Sequence, residues 1–188
     1  MSILVVADHD NSELKPATLV VVAAAKAIGG DIDLLVAGEG CGAVAEAGSK
    51  VEGVSKVLCA DNAAYGHQLA ENIAPLVAEL GANYSHVLTA HTTVGRNFLP
   101  RVAAELGVAQ ISDIQSVESA DTFKRPIYAG NAIATVKSND PIKVVSVRGT
   151  AFDGQAAFGN GFGQPRIAGP AIDQQYQQPR CRRGSVVL

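Results

Sequence analysis

The chain has 188 residues, a formal charge of −3, 47% hydrophobic residues and 18% charged ones. Its aliphatic content is high enough to bury a parallel sheet and excludes disorder of the whole chain. The length suits one α/β domain with a tail and falls short of two full-sized domains. Residues 1–153 hold 11 basic and 17 acidic side chains (net −6) and residues 154–188 hold four Arg and one Asp (net +3), so the acidic body lacks the footprint that nucleic-acid binding requires.

Ile3 to Ala7 reads as a central strand, and Pro16 to Ile28 as a helix with Pro in its permitted first turn and Gly29-Gly30 at its end. Asp33 to Ala37 reads as a second strand, Gly42 to Lys50 as a short helix, and Lys56 to Ala60 as a third strand. A helix interrupted by Pro75 then spans His67 to Leu80. Val87 to Ala90 is apolar enough for a strand covered on both faces. Thr92 or Thr93 can cap the next helix, which carries Phe98, Leu99, Val102, Ala103 and Leu106 toward the core. A second strand follows that helix, completing a strand, crossover, strand unit with parallel strands.

After about residue 112 the pattern becomes alternating. Ile114 to Ser119, Pro126 to Ala129, Asn131 to Val136 and Ile142 to Arg148 are separated by turn residues and predict an antiparallel flap. Residues 154–188 contain six Gly, six Gln and three Pro without a usable period, and read as a disordered tail or truncated linker. The expected division is therefore a domain over 1–153 and a tail over 154–188.

Three separated motifs carry a family resemblance: HTTVGRNFLPRVAAELG from His91, ISDI from Ile111, and RPIYAGNAIATV followed by VVSVRGTAFD. With ILVVADHD near the start, residues 2 to about 153 resemble the amino-terminal domain of the electron-transfer flavoprotein alpha subunit. The resemblance implies a doubly wound, mostly parallel sheet, Rossmann-like and of the adenine-nucleotide alpha-hydrolase type, carrying the antiparallel flap. It also implies a scaffold role in a heterodimeric electron carrier. In the full-length heterodimer FAD is held mainly by a carboxy-terminal alpha domain that this sequence lacks, and AMP sits on the beta subunit. The implied partners are that beta subunit, primary dehydrogenases such as those acting on acyl-coenzyme A in fatty acid oxidation, and a membrane quinone oxidoreductase. On this reading the chain is a truncated form that binds no flavin alone.

Function beyond the resemblance rests on loops. Asp8, His9 and Asp10 follow the first strand, and Thr89, Ala90, His91 and Thr92 close the fourth, so both groups should flank the point where strand order reverses. Open α/β sheets bind ligands there. Gly95 leaves space beside them and Arg96 adds a cation in the first helical turn, which makes Asp8, His9, Thr89, Ala90, His91, Thr92, Gly95 and Arg96 candidates for an adenine-nucleotide crevice. A stand-alone nucleotide-binding module is the alternative function; equally, Thr92 is only a cap and His91 a solvated turn residue.

Gly38-Glu39-Gly40-Cys41-Gly42-Ala43 matches a dinucleotide fingerprint, with Asp61 about where the ribose acid belongs. It follows the second strand, however, and Glu39 puts a carboxylate where a phosphate would sit. Asp113 and Arg148 are a candidate ion pair at the domain edge, and Asn131 is expected to hold backbone in its turn. Neither a hydrolytic triad nor metal-ligand spacing can be argued, and an enzymatic role is not expected. Cys41, Cys59 and Cys181 show no redox-pair spacing, so free thiols in a reducing compartment are expected. No targeting segment is evident and no apolar run approaches the ~20 residues of a membrane span, which predicts a bacterial cytoplasmic protein without membrane insertion.

Overall fold

The computed structural model describes residues 1–153 and the short strand 166–168. Its main sheet has seven strands. In chain order they are β1 (Ser2–Val6), β2 (Asp31–Gly38), β3 (Val54–Asp61), β4 (His86–Ala90), β5 (Gln110–Ile114), β9 (Lys143–Val147) and β10 (Arg166–Ala168). They lie in the order β10-β3-β2-β1-β4-β9-β5, every pair parallel. A separate antiparallel sheet, β6 (Ser116–Ser119), β7 (Thr122–Ile127) and β8 (Ala132–Lys137), forms the flap. The doubly wound α/β class with a flap is therefore observed.

Four helices cover the main sheet: α1 (Pro16–Ile28), α2 (Gly42–Ser49), α3 (Ala70–Gly81) and α4 (Thr93–Leu106). Alternation along the strands divides the core into two. Ile3, Val5, Leu34, Val36, Val145 and Val147 pack with α1, α2 and Phe123 of the flap. Leu4, Val6, Leu35, Val87 and Val144 pack with α3 and α4 on the other face. Strands buried on both sides read as continuous apolar runs, and each fully buried Val or Leu contributes roughly 1.5–3 kcal/mol.

Three expectations are corrected. Residues 142–148 were assigned by their alternation to the flap, yet β9 lies inside the parallel sheet between β4 and β5. Val144, Val145, Ser146 and Val147 are all fully buried, so the segment is covered on both faces, unlike β8, whose Ile133, Thr135 and Lys137 face solvent. The flap is thus an excursion between β5 and β9. The helix expected from His67 instead begins at Ala70, because Asn62 caps a separate 3-10 turn (Ala63–Tyr65) closed by Gly66, and Gln68 takes a positive φ of 49° that no helix continues through. Pro75 does not interrupt α3: it lies on the exposed side, leaving the Glu71 carbonyl it frees near water. The unstructured tail expected over 154–188 falls outside the described residues except at 166–168, where the backbone pairs with Lys56 to Leu58 of β3.

The flap is fastened to the sheet by His86, which is 1% exposed at the start of β4. Its Nε2 donates to the Ala120 carbonyl at 2.6 Å, and its Nδ1 lies 2.9 Å from the Ser85 hydroxyl. The Ser85 hydroxyl donates its one proton to the Ser2 carbonyl at 2.7 Å, and the same carbonyl accepts the Ser85 amide at 3.0 Å, so both nitrogens of the buried ring face polar partners. Burial holds both His86 and His9 below the ordinary imidazole value of 6.5, against the hydrogen bonds their rings donate to the Ala120 and Ala37 backbone, which favour the charged form.

A histidine lowered in the folded state stays neutral while the unfolded chain takes up a proton, so stability is complete above the unfolded value and declines below it. Denaturant midpoints should therefore fall between pH 6.5 and 5, above the carboxylate range, by at most about 1.4 kcal/mol per pH unit for each histidine. H86Q, which removes the titrating ring and keeps an amide N–H for the Ala120 carbonyl, should flatten this slope; an unchanged slope would show that His86 does not titrate between the two states.

Candidate functional site

Strand order reverses between β1 and β4, so the loops after these strands flank the switch point as expected. The loop after β1 is closed by its own chain. The Asp8 amide donates to the Thr18 hydroxyl at 2.8 Å, that hydroxyl donates to the Asp8 carbonyl at 3.0 Å, and the same carbonyl accepts the Lys15 amide at 2.8 Å. Asp10 turns outward: its carboxylate accepts from Ser12 and from the Glu13 amide and pairs with Lys15. These contacts, Lys15 first, hold it below the usual carboxylate range.

His9 points away from β4. It is 5% exposed, its Nδ1 accepts the Asn11 amide at 3.0 Å, and its carbonyl accepts from the Gln68 side chain at 3.1 Å. The ring thus joins the loop after β1 to the segment before α3. It belongs to the frame of the domain, and it stands apart from His91.

The loop after β4 is equally tight. The Thr89 hydroxyl donates to the Val6 carbonyl at 3.3 Å, and Ala90 is buried. Thr92, not Thr93, caps α4, accepting the Gly95 amide at 3.4 Å. Gly95 is required where it stands, because a methyl group there would run into the Ala90 carbonyl. The glycine brings α4 down onto the strand end instead of opening a crevice.

The fingerprint-like turn after β2 shows the same self-sufficiency. The Asp61 carboxylate accepts the Gly40 amide at 2.7 Å, and the Gly38 carbonyl accepts the Asn62 amide at 2.8 Å. A dinucleotide would need those amides for its pyrophosphate and that carboxylate for its ribose. Here the acid seals the turn, and a Cβ on Gly38 would strike the Asn11 side chain. In these three loops the Asp8, Gly40 and Gly95 amides are taken by the protein's own side chains, and Asp8 and Glu39 add negative charge beside them. The sealed turn after β2 does not fit a pyrophosphate.

Polar groups converge instead one strand over, at the carboxy ends of β4, β9 and β5. Ser146 is fully buried: its hydroxyl lies 2.8 Å from His91 Nδ1 and accepts the Asp113 amide at 3.0 Å. Asp113 adopts a left-handed φ of 61° that turns its carboxylate toward Arg148, which grips it with Nε at 3.1 Å and Nη2 at 2.6 Å. The carboxylate is 17% exposed, so the pair anticipated from the sequence is a bidentate, half-buried one. Burial alone would raise Asp113; the Arg148 hydrogen bonds, with His91 and Arg125, outweigh it and keep the group below its ordinary value.

His91 is lowered by burial, opposed by Asp113, and lowered further by Arg96, Arg148 and Arg125. Three arginines and one aspartate thus surround one imidazole on a body of net charge −6. Arg125 adds a buried Nε with no hydrogen-bond partner among the described residues. Arg125 and Ser146 escape a residue-by-residue reading as members of one cluster, since β7 and β9 meet β4 only in the folded chain. Asn131, expected to hold the turn with its side chain, is exposed; its backbone amide closes the turn by donating to the Tyr128 carbonyl at 3.1 Å.

Replacing Ser146 with Ala should leave the Asp113 amide unpaired in the core and cost about 1–3 kcal/mol. The same variant should remove the His91 Nδ1 contact, visible as a shifted His91 imidazole resonance. Unchanged stability together with an unshifted resonance would contradict this geometry.

Comparison with known proteins bears on both fold and site. The electron transfer flavoprotein domain family matches residues 3–174. The match extends past Asp153, where the resemblance was expected to stop, by 21 residues (174 − 153). The chain is 66% identical over 171 residues to the electron transfer flavoprotein subunit alpha of Pseudomonas aeruginosa, covering 91% of this chain and 55% of that protein. It is 51% identical over 158 residues to the mitochondrial alpha subunit of Dictyostelium discoideum, covering 80% and 44%, and 47% identical over 154 residues to that of Paracoccus denitrificans, covering 81% and 50%. The chain spans about half the length of these curated relatives and matches their amino-terminal part. Parallel sheet, flap, motifs and identity agree, and the chain belongs to the electron transfer flavoprotein family, as a relative of its alpha subunits.

Proposed function

We propose that this chain is the scaffold domain of an electron-transfer flavoprotein alpha subunit, docking a beta subunit while the flavin is held by other parts of the assembly. The observation that carries the reading is the contrast between the two ends of the site. At the carboxy ends of β1, β2 and β4 the Asp8, Gly40 and Gly95 amides are spent on internal hydrogen bonds. The flap presents an apolar tip to solvent, with Tyr128 79% and Ile133 54% exposed. Tyr128 and Ala129 hold positive φ values of 49° and 55°, a backbone cost retained at that tip. Large exposed aromatic and aliphatic side chains on a rigid hairpin are what a protein interface uses as anchors.

On this reading the chain is a carrier subunit and not an enzyme. In the assembled protein flavin would supply one-electron chemistry between primary dehydrogenases and a membrane quinone oxidoreductase, and this domain would supply position and electrostatics. AMP would sit on the beta subunit. Among the described residues no helix is long and apolar enough to cross a membrane, and the reading places the chain in the bacterial cytoplasm. The rival reading, a stand-alone adenine-nucleotide module, finds less support because Asp8, His9, Thr89 and Gly95 are committed to internal packing.

Co-expression with the beta subunit of a bacterial relative tests the proposal. The chain should co-purify with it, and Y128D or I133D should weaken the complex at least about tenfold, as expected for an interface anchor. Co-purification untouched by both substitutions would move the interface off the flap, and failure to bind any beta subunit would overturn the scaffold reading.

A further inference from the structure

Cys41 and Cys59 are 18 residues apart in the chain, and the fold brings their sulfurs to 3.8 Å. The approach is built by the backbone. Cys41 sits at the amino-terminal boundary of α2, Cys59 lies in β3 opposite Val36 of β2, and the turn between β2 and α2 is stitched to the end of β3 by Asp61 and Asn62. Cys41 is 0% exposed and packs in the core, while Cys59 is only partly buried. On either side of Cys41, Gly40 and Gly42 have nothing within 4 Å of where a Cβ would stand, so the turn has room to adjust. Both cysteines are free thiols, as expected, and the fold sets them face to face.

We propose that Cys41 and Cys59 are a reversible dithiol–disulfide pair, with Cys59 as the peroxide-reactive thiol and Cys41 as its resolving partner. A disulfide needs its sulfurs at about 2.05 Å, so oxidation must draw them together from 3.8 Å. Exposure assigns the roles, because only Cys59 can meet a solute. Its hydrogen bond with Cys41 also holds it below the ordinary thiol value, at about 7, against burial and Asp61, which push the other way; Cys41 is pushed up. The thiolate is the nucleophile, so the accessible sulfur is the activated one.

The oxidant is hydrogen peroxide. The Cys59 thiolate attacks one peroxide oxygen: an S–O bond forms, the O–O bond breaks, and the departing hydroxide leaves as water after taking a proton. The Cys41 sulfur then attacks the Cys59 sulfenic sulfur: the S–S bond forms, the S–O bond breaks, and the second hydroxide leaves as water with the Cys41 proton. Two thiols lose two electrons in total, and one peroxide is reduced to two waters.

The full chain, reduced and then exposed to a small excess of hydrogen peroxide, should lose two of its three thiols and become lighter by two hydrogen atoms. A non-reducing digest should contain the Cys41–Cys59 cross-linked peptide, and dithiothreitol should restore both thiols. In C181S no free thiol should remain, which separates the pair from the third cysteine. In C41S the Cys59 sulfenic acid should persist and be trapped by dimedone. The parent protein decides the matter even if that variant fails to fold. Cys41 and Cys59 both still alkylatable after treatment, a cross-link to Cys181, or Cys59 carried to sulfinic acid with Cys41 free would each overturn the proposal.

Discussion

The position of β9 between β4 and β5 is the constraint on which the rest of this structure depends. Because β9 is covered on both faces, Ser146 is driven into the core, and a buried hydroxyl must find partners. It finds them in His91 at the end of β4 and in the Asp113 amide at the end of β5. The next residue but one, Arg148, then emerges at the sheet edge in reach of the Asp113 carboxylate. The same insertion leaves the chain between β5 and β9 without a place in the main sheet, so it folds out as the antiparallel flap and packs back through Phe123 and the His86–Ala120 bond. Polar cluster and flap are two results of one strand placement.

At the ends of β1, β2 and β4 the protein's own side chains take up backbone groups of the loops. Three side chains of modest size suffice: Thr18 takes both backbone groups of Asp8, Asp61 takes the Gly40 amide, and Thr92 takes the Gly95 amide. The three amides among these are donors of the kind a bound phosphate uses. At the neighbouring strand ends three of the domain's arginines, Arg96, Arg125 and Arg148, act on His91 within a body of net negative charge. That placement suits recognition by a protein surface better than enclosure of a small molecule.

Local features were legible in the sequence wherever the decisive group lies close along the chain. Pro16 and Gly29 bound α1 at the residues expected, and Thr92 caps α4. The position of β9 was not legible, because a short stretch such as KVVSV suits an alternating edge and a doubly buried strand equally well, and only its neighbours decide. The G-x-G-x-x-A match misled for a related reason: Asp61 stands at the spacing of a ribose acid, but its carboxylate closes the turn itself. The ion pair of Asp113 and Arg148, 35 residues apart, could be suspected from the chain; the pairing of Cys41 with Cys59 could not, since it depends on the register of β2 against β3.

An account in which this domain positions other parts and holds no flavin itself makes a plain spectroscopic claim. The visible absorption spectrum of the chain purified together with a beta subunit tests it most directly. The account predicts a stable complex without the flavin band near about 450 nm. A band corresponding to one flavin per complex would contradict it and assign cofactor binding to this domain.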